Sequence, residues 1–123
     1  MQYGFRKGEK LKKKKLISEL FEHGSSLTVY PLRLVYLQAD HESPYKLQTG
    51  VSVSKRFFKK AVSRNRIKRQ MREVFRLNKR LVYDSEHTKK HIFMFVYVGS
   101  EEHPTRELDK RMKKLLAKFL ERQ

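Results

Sequence analysis

The chain has 123 residues, no cysteine, and 30 Lys plus Arg against 13 Asp plus Glu, a formal net charge of +17. Residues 1–123 are expected to form one domain large enough for a real core, without disulfides or thiolate metal sites. No apolar run is long enough to span a bilayer, and the start MQYGFRKGEKLKKKK lacks the apolar stretch of a secretory signal, so a cytoplasmic protein without a membrane partner is expected. Such a charge excess repels itself unless a polyanion is present. Nucleic acid is the implied partner, through phosphate neutralisation and counterion release.

The first predicted element is a helix over Lys10–Glu22. Leu16 with Leu20 and Ile17 with Phe21 are four apart and share a face, and Gly24 follows where helices commonly end. The run Lys12–Lys15 reads equally as a solvated helix start or as an RNA contact. Leu27–Gln38 is extended, with Leu32, Leu34 and Tyr36 alternating with Arg33, Val35 and Leu37. Pro31 cannot donate to a sheet ladder, so it marks an edge or splits the stretch into two short strands. Asp40–Tyr45 is a turn. In the strand Lys46–Ser54, Leu47, Thr49, Val51 and Val53 point one way. Gln48, Gly50, Ser52 and Ser54 point the other, leaving a small, polar face. That face is either open to solvent or free for the close approach of another backbone.

The next element is both basic and apolar. On a helix at about 100° per residue, Ile67, Met71, Val74, Phe75, Leu77 and Leu81 fall within an arc of roughly 160°, interrupted by Gln70 and Asn78. Asn65, Lys68, Arg69, Arg72, Arg76, Lys79 and Arg80 fall on the opposing arc, with Arg64 at the boundary between the two. One side is expected to dock on a sheet while the other displays cations to a phosphate backbone. Arginine suits that task because its planar fork holds two phosphate oxygens. Solvated helices usually mix both signs of charge, yet Glu73 is the only acid between Arg64 and Arg80. Ile92–Val98 is apolar on both sides, as in a central strand. A last helix over Thr105–Arg122 carries the stripe Leu108, Met112, Leu115, Leu116 and Phe119. Helices and strands in this order predict a mixed domain built on a small sheet.

The run GVSVSKRFFKKAVSRNRIKRQMREVFR, Gly50–Arg76, resembles the signature of the bacterial ribonuclease P protein subunit. That signature has a strand ending Ser-Val-Ser-Lys (here Ser52–Lys55), a short link, Ala-Val (Ala61–Val62), then Arg-Asn-Arg-Ile-Lys-Arg-x-x-Arg (Arg64–Arg72). The first helix, ending Leu20-Phe21-Glu22-His23-Gly24, and the late strand and helix also match, so the likeness covers nearly the whole chain. The resemblance implies an α+β fold, a small central sheet flanked by helices in the order α-β-β-β-α-β-α, similar to the second domain of a ribosomal small-subunit protein. It also implies a left-handed crossover at the basic helix, against the usual hand. It implies two partners, a catalytic RNA subunit and precursor tRNA, and no obligate protein partner. In such a complex the RNA holds the catalytic magnesium ions, and the protein binds the 5′ leader in a cleft between sheet and first helix.

Carried over by position, Arg64, Asn65, Arg66, Lys68, Arg69 and Arg72, with Arg76, Lys55 and Arg56 beside them, are expected to bind RNA. Ile17, Phe21, Tyr36 and Ser52 are expected in the leader cleft, where the aromatics could stack on unpaired bases. Core packing is the other reading of Phe21. The chain departs from the family twice. Ile17 stands where a second aromatic is usual, and the link Arg56–Lys60 lacks the usual Gly and is one residue longer, which leaves Phe57 and Phe58 unassigned.

No catalytic or metal-holding residue is expected on the protein. His23, His41, His87, His91 and His103 are scattered and none pairs at metal-site helical spacing. Glu101 and Glu102 are adjacent, which fits a solvated turn better than a two-metal site. The competing function is that of a ribosomal-protein-like or general structured-RNA-binding protein.

Overall fold

The computed structural model describes residues 7–86 and 88–123. His87 and the first six residues of the amino-terminal stretch read above lie outside them. After a single 3-10 turn at Lys7–Glu9 come α1 (Lys14–His23), β1 (Ser25–Val29), β2 (Leu32–Gln38) and β3 (Leu47–Val53). They are followed by α2 (Ala61–Asn78), α3 (Arg80–Tyr83), β4 (His91–Tyr97) and α4 (Thr105–Glu121). The strands form one sheet in the order β1-β2-β4-β3. β4 lies antiparallel to β2 and parallel to β3, with Val35 and Gly50 both facing Met94 in register. The α+β order anticipated from the sequence is the order found.

The continuous apolar run IFMFVYV becomes the central strand because both its faces are covered. On one face Phe93, Phe95 and Tyr97 meet Ile67, Met71, Val74 and Phe75 of α2 and Leu108, Met112, Leu115, Leu116 and Phe119 of α4. On the other, Ile92 and Met94 join Val35, Leu11 and Leu20, with Leu16 and Ile17 of α1 packed against them. The sheet is therefore a layer with α2 and α4 on one side and α1 on the other.

Several boundaries differ from the sequence reading, each for a local reason. The first helix begins at Lys14, not Lys10, because residues 10 and 11 run along the open edge of β3. Lys10 bridges Thr49 in parallel register, and the Leu11 N–H donates to the Thr49 carbonyl at 3.0 Å. The segment thus covers a ladder of unpaired edge groups. Gly24 ends α1 as expected. The reason is proximity: a Cβ there would lie 2.3 Å from the Leu20 carbonyl oxygen, whose hydrogen bond comes from the Gly24 N–H. The stretch Leu27–Gln38 is two strands, β1 and β2, joined through a cis Tyr30–Pro31 peptide.

The basic helix needs a larger correction. Leu77 and Leu81, assigned to its apolar side, are 52% and 47% exposed. Asn78 and Lys79 are buried instead. Leu77 sits at the margin of the apolar arc, next to the half-buried Gln70, and Leu81 lies past the break between α2 and α3 at Lys79. Asn78 turns inward because its amide donates to the Val74 carbonyl and the Asp109 carboxylate, both at 2.7 Å. That hydrogen bond holds the Asp109 carboxyl below its ordinary range. Lys79, 4% exposed, donates to both carboxylate oxygens of Glu9 at 3.0 and 2.8 Å, and Glu9 is 1% exposed. The Tyr83 hydroxyl donates to the same carboxylate. A buried ion pair is tolerated because its charges and lone pairs are satisfied, and removing one partner is costly. Glu9→Gln leaves the Lys79 ammonium buried without its counter-charge, and denaturant unfolding should show a loss of about 3–5 kcal/mol.

Candidate nucleic-acid interface

α2 starts where Arg64 folds back on the preceding link. Its Nη1 donates to the carbonyls of Phe58 and Lys59 at 2.8 and 2.7 Å. No side chain caps the helix, so this contact fixes how the link enters it. Phe58 is buried edge-on against Tyr97, with ring centroids 5.8 Å apart, which anchors the link to the core. Phe57 is exposed, and the Arg56 guanidinium lies 5.4 Å from its ring centroid. Sequence reasoning gave these two phenylalanines no assignment. The structure makes one a core residue and the other a surface ring beside a cation.

Beyond the link, Ile67, Met71, Val74 and Phe75 face the sheet, and the cations divide into two groups. Arg66 is ion-paired, its Nε and Nη2 donating to the two Glu102 oxygens at 2.7 and 2.9 Å. That bond holds the Glu102 carboxyl below the usual carboxylate range and raises Arg66. Arg76 pairs with Glu73, three residues back, whose carboxyl is likewise lowered. Arg64, Lys68, Arg69 and Arg72 have no carboxylate partner among the described residues. Asn65, Arg69 and Arg72 are exposed, as are Lys55 and Arg56 at the end of β3. The sheet-facing and solvent-facing sides of α2 therefore carry the two residue types apart. Lys79 shares the side of Arg72 by its spacing but is buried there in its pair with Glu9.

Arg72 reaches a second feature. With Lys10, Leu11, Lys12, Ile17, Thr49, Gly50, Val51 and Met94 it lines a cavity of about 310 Å³ between α1, the edge of β3 and α2. Gly50 is the close approach in this wall, because a Cβ there would lie 3.0 Å from Met94 Cε. Of the residues expected in a cleft, Ile17 lines this one. Ser52 lies on the same face of β3 as Gly50, paired with Val96 in register and partly covered. Phe21 is 54% exposed at the carboxyl end of α1, which removes the core reading of that ring.

Tyr36 is a correction. It points to the opposite face of the sheet and packs edge-on against Phe119 of α4, with ring centroids 5.0 Å apart. The alternation of β2 already placed it with Leu32 and Leu34, so local periodicity decides here against correspondence by position. Lys10, Thr49, Gly50, Val51 and Met94 were not expected in the cavity. The only sequence signal for any of them was the small, polar side of β3.

No helix among the described residues is long and apolar enough to cross a membrane. Among those residues no group of three or more His, Asp or Glu could hold a metal ion. Glu102, one of two adjacent acids, is engaged by Arg66.

The family model described as Ribonuclease P matches residues 5–120. The Porphyromonas gingivalis protein named ribonuclease P protein component is 38% identical over 120 residues, covering 95% of this chain and 87% of that protein. The solved structure of the Staphylococcus aureus RNase P protein superposes with a TM-score of 0.69 at 21% identity, covering 89% of this chain and 93% of that one. That of the Thermotoga maritima protein does so with 0.63 at 23% identity, covering 94% and 97%.

The division of α2 into two sides has a direct consequence for stability. Ile67→Ala should cost about 2–5 kcal/mol, because the side chain is fully buried. Arg69→Ala, at an exposed position, should leave the melting temperature within a degree or two, about 0.5 kcal/mol or less. Parallel thermal melts compare the two.

Proposed function

This chain belongs to the ribonuclease P protein family and is a protein component of tRNA 5′-end processing, and we propose that it works there by binding two RNAs at once. The cationic side of α2, with Lys55 and Arg56, grips the catalytic RNA subunit. The cavity between α1, β3 and α2 holds the single-stranded 5′ leader of precursor tRNA. The observation that carries this reading is the continuity of the two surfaces at Arg72, an exposed cation on α2 that also lines the cavity.

The chemistry of each surface suits its proposed ligand. The α2 cations are fixed by packing on the opposite side of the same helix, so less side-chain order is lost on binding. The cavity combines Lys10, Lys12 and Arg72 with the apolar Ile17, Leu11 and Met94. Backbone phosphates and unstacked bases of a single strand ask for that mixture. Ile17 pads the cavity without an aromatic face, so base stacking falls to Phe21, exposed four residues further along the same helix. Arg66 is held by Glu102 and Arg76 by Glu73, so their binding to phosphate exchanges one anion for another.

In this reading the RNA subunit carries the catalytic centre, and magnesium belongs to the RNA and the substrate. No step of the hydrolysis is assigned to a protein side chain. The protein's part is to bind, to orient the leader and to lower the density of uncompensated phosphate charge.

Reconstitution tests this directly. The purified, RNA-free chain should leave precursor tRNA uncut. Added to a bacterial ribonuclease P RNA, it should lower the magnesium concentration needed for 5′ leader removal. Cleavage by the chain alone would overturn the division of labour. No change in the magnesium requirement would favour a general RNA-binding protein.

A further inference from the structure

The buried group Glu9–Lys79–Tyr83 lies outside both proposed RNA surfaces, yet it joins them. Glu9 closes the short turn that precedes Lys10, Leu11 and Lys12, three residues of the cavity wall. Lys79 and Tyr83 stand four residues apart where α2 passes into α3, with the Lys79 ammonium 5.5 Å from the Tyr83 ring centroid. Lys79 is seven residues beyond Arg72, about 20° short of two full turns, so both project from one side of the helix axis. Thus one cation of the pair meets Glu9 in the interior, while the other lines the cavity beside Lys10 and Lys12.

The tyrosine end of the group is tied to the sheet as well. Lys46, next to the start of β3, donates to the carbonyls of Tyr83 and Ser85 at 3.0 and 2.7 Å. The amino-terminal segment has its own anchors on the same side. Ser43 Oγ donates to the Gly8 carbonyl at 2.7 Å, and Gln48 Nε2 donates to it at 3.3 Å. Those anchors fix the segment to β3 and to the turn that precedes it. The carboxylate of Glu9 ties it to Lys79 at the end of the basic helix and to Tyr83 of α3.

We infer that Glu9, Lys79 and Tyr83 act as a clasp that sets the spacing between Lys10 and Lys12 on one wall of the cavity and Arg72 on the other. They are positioning residues for the grip on a single-stranded leader. This rests on the reading of the cavity as the leader site. The clasp is a local device: loosening it widens the cavity and leaves the outer cations of α2, Lys68 and Arg69, where packing holds them.

The test uses the full chain reconstituted with a bacterial ribonuclease P RNA. Affinity is measured for a precursor tRNA with a single-stranded leader and for the same tRNA without it. The temperature is one at which circular dichroism shows each variant folded. Glu9→Gln removes one negative charge and so raises the net charge by one, and charge alone would tighten binding to both RNAs. The clasp instead requires that the leader-dependent gain fall about tenfold, as when one or two charge-assisted contacts are lost. Tyr83→Phe keeps the ion pair and should give a smaller loss of the same kind. The reversed pair, Glu9→Lys with Lys79→Glu, should restore the gain at unchanged net charge. If Glu9→Gln does not fold, the milder variant and the reversed pair decide the matter. A leader-dependent gain that survives in the folded variants, or a reversed pair that folds without restoring it, overturns the clasp and leaves the leader reading standing. Absence of any gain in the unaltered protein overturns the leader reading and the clasp with it.

Discussion

A helix can carry many cations on the outside of a folded protein only if something on its other side holds it down. Here that constraint falls on α2. Its sheet-facing residues Ile67, Met71, Val74 and Phe75 are buried against β4 and α4, and their burial offsets the mutual repulsion of the charges above them. The apolar run of β4 supplies the surface to dock on. Two further helices flank the sheet, α4 beside α2 and α1 on the far side. The cations of α2 are consequently presented by a rigid element, as a recognition surface for a polyanion requires.

What the sequence revealed of this arrangement depended on how local the determining contacts are. Element types were legible from periodicity, because alternation in β2 and β3 and the apolar spacing of α4 are properties of neighbouring residues. The central position of β4 was legible for the same reason. The errors on α2 arose where a distant residue decides. Lys79 turns inward because Glu9, seventy positions away in the chain, waits there. Asn78, which the wheel already set within the apolar arc, is satisfied there because Asp109 accepts its hydrogen bond. Leu77 is left outside at the margin of the apolar arc, and Leu81 because the helix breaks before it and the wheel that placed it inward no longer applies.

The site shows the same contrast. The joined signature Ser52–Lys55 and Arg64–Arg72 identified the family from a contiguous stretch, and the family model and the relatives bear out that identification. Its extension to Tyr36 failed on geometry, because that ring belongs to the α4 side of the sheet. The wall made by Lys10, Leu11 and Lys12 went unread because it depends on a backbone pairing with Thr49 at the β3 edge. Sequence alone suggested a longer helix there. An edge strand that needs covering and a carboxylate that needs a counter-charge together place this segment. Both are tertiary requirements with no local signature.

The central claim, that the solvent side of α2 is where RNA phosphates bind, is tested most directly by salt dependence. The logarithm of affinity for the catalytic RNA is plotted against the logarithm of salt concentration, for the unaltered chain and for a Lys68→Ala/Arg72→Ala double variant. If these cations neutralise phosphates, the variant's slope is shallower by about 1.5, roughly 0.7–0.9 for each lost contact. An unchanged slope in a folded double variant would contradict the account.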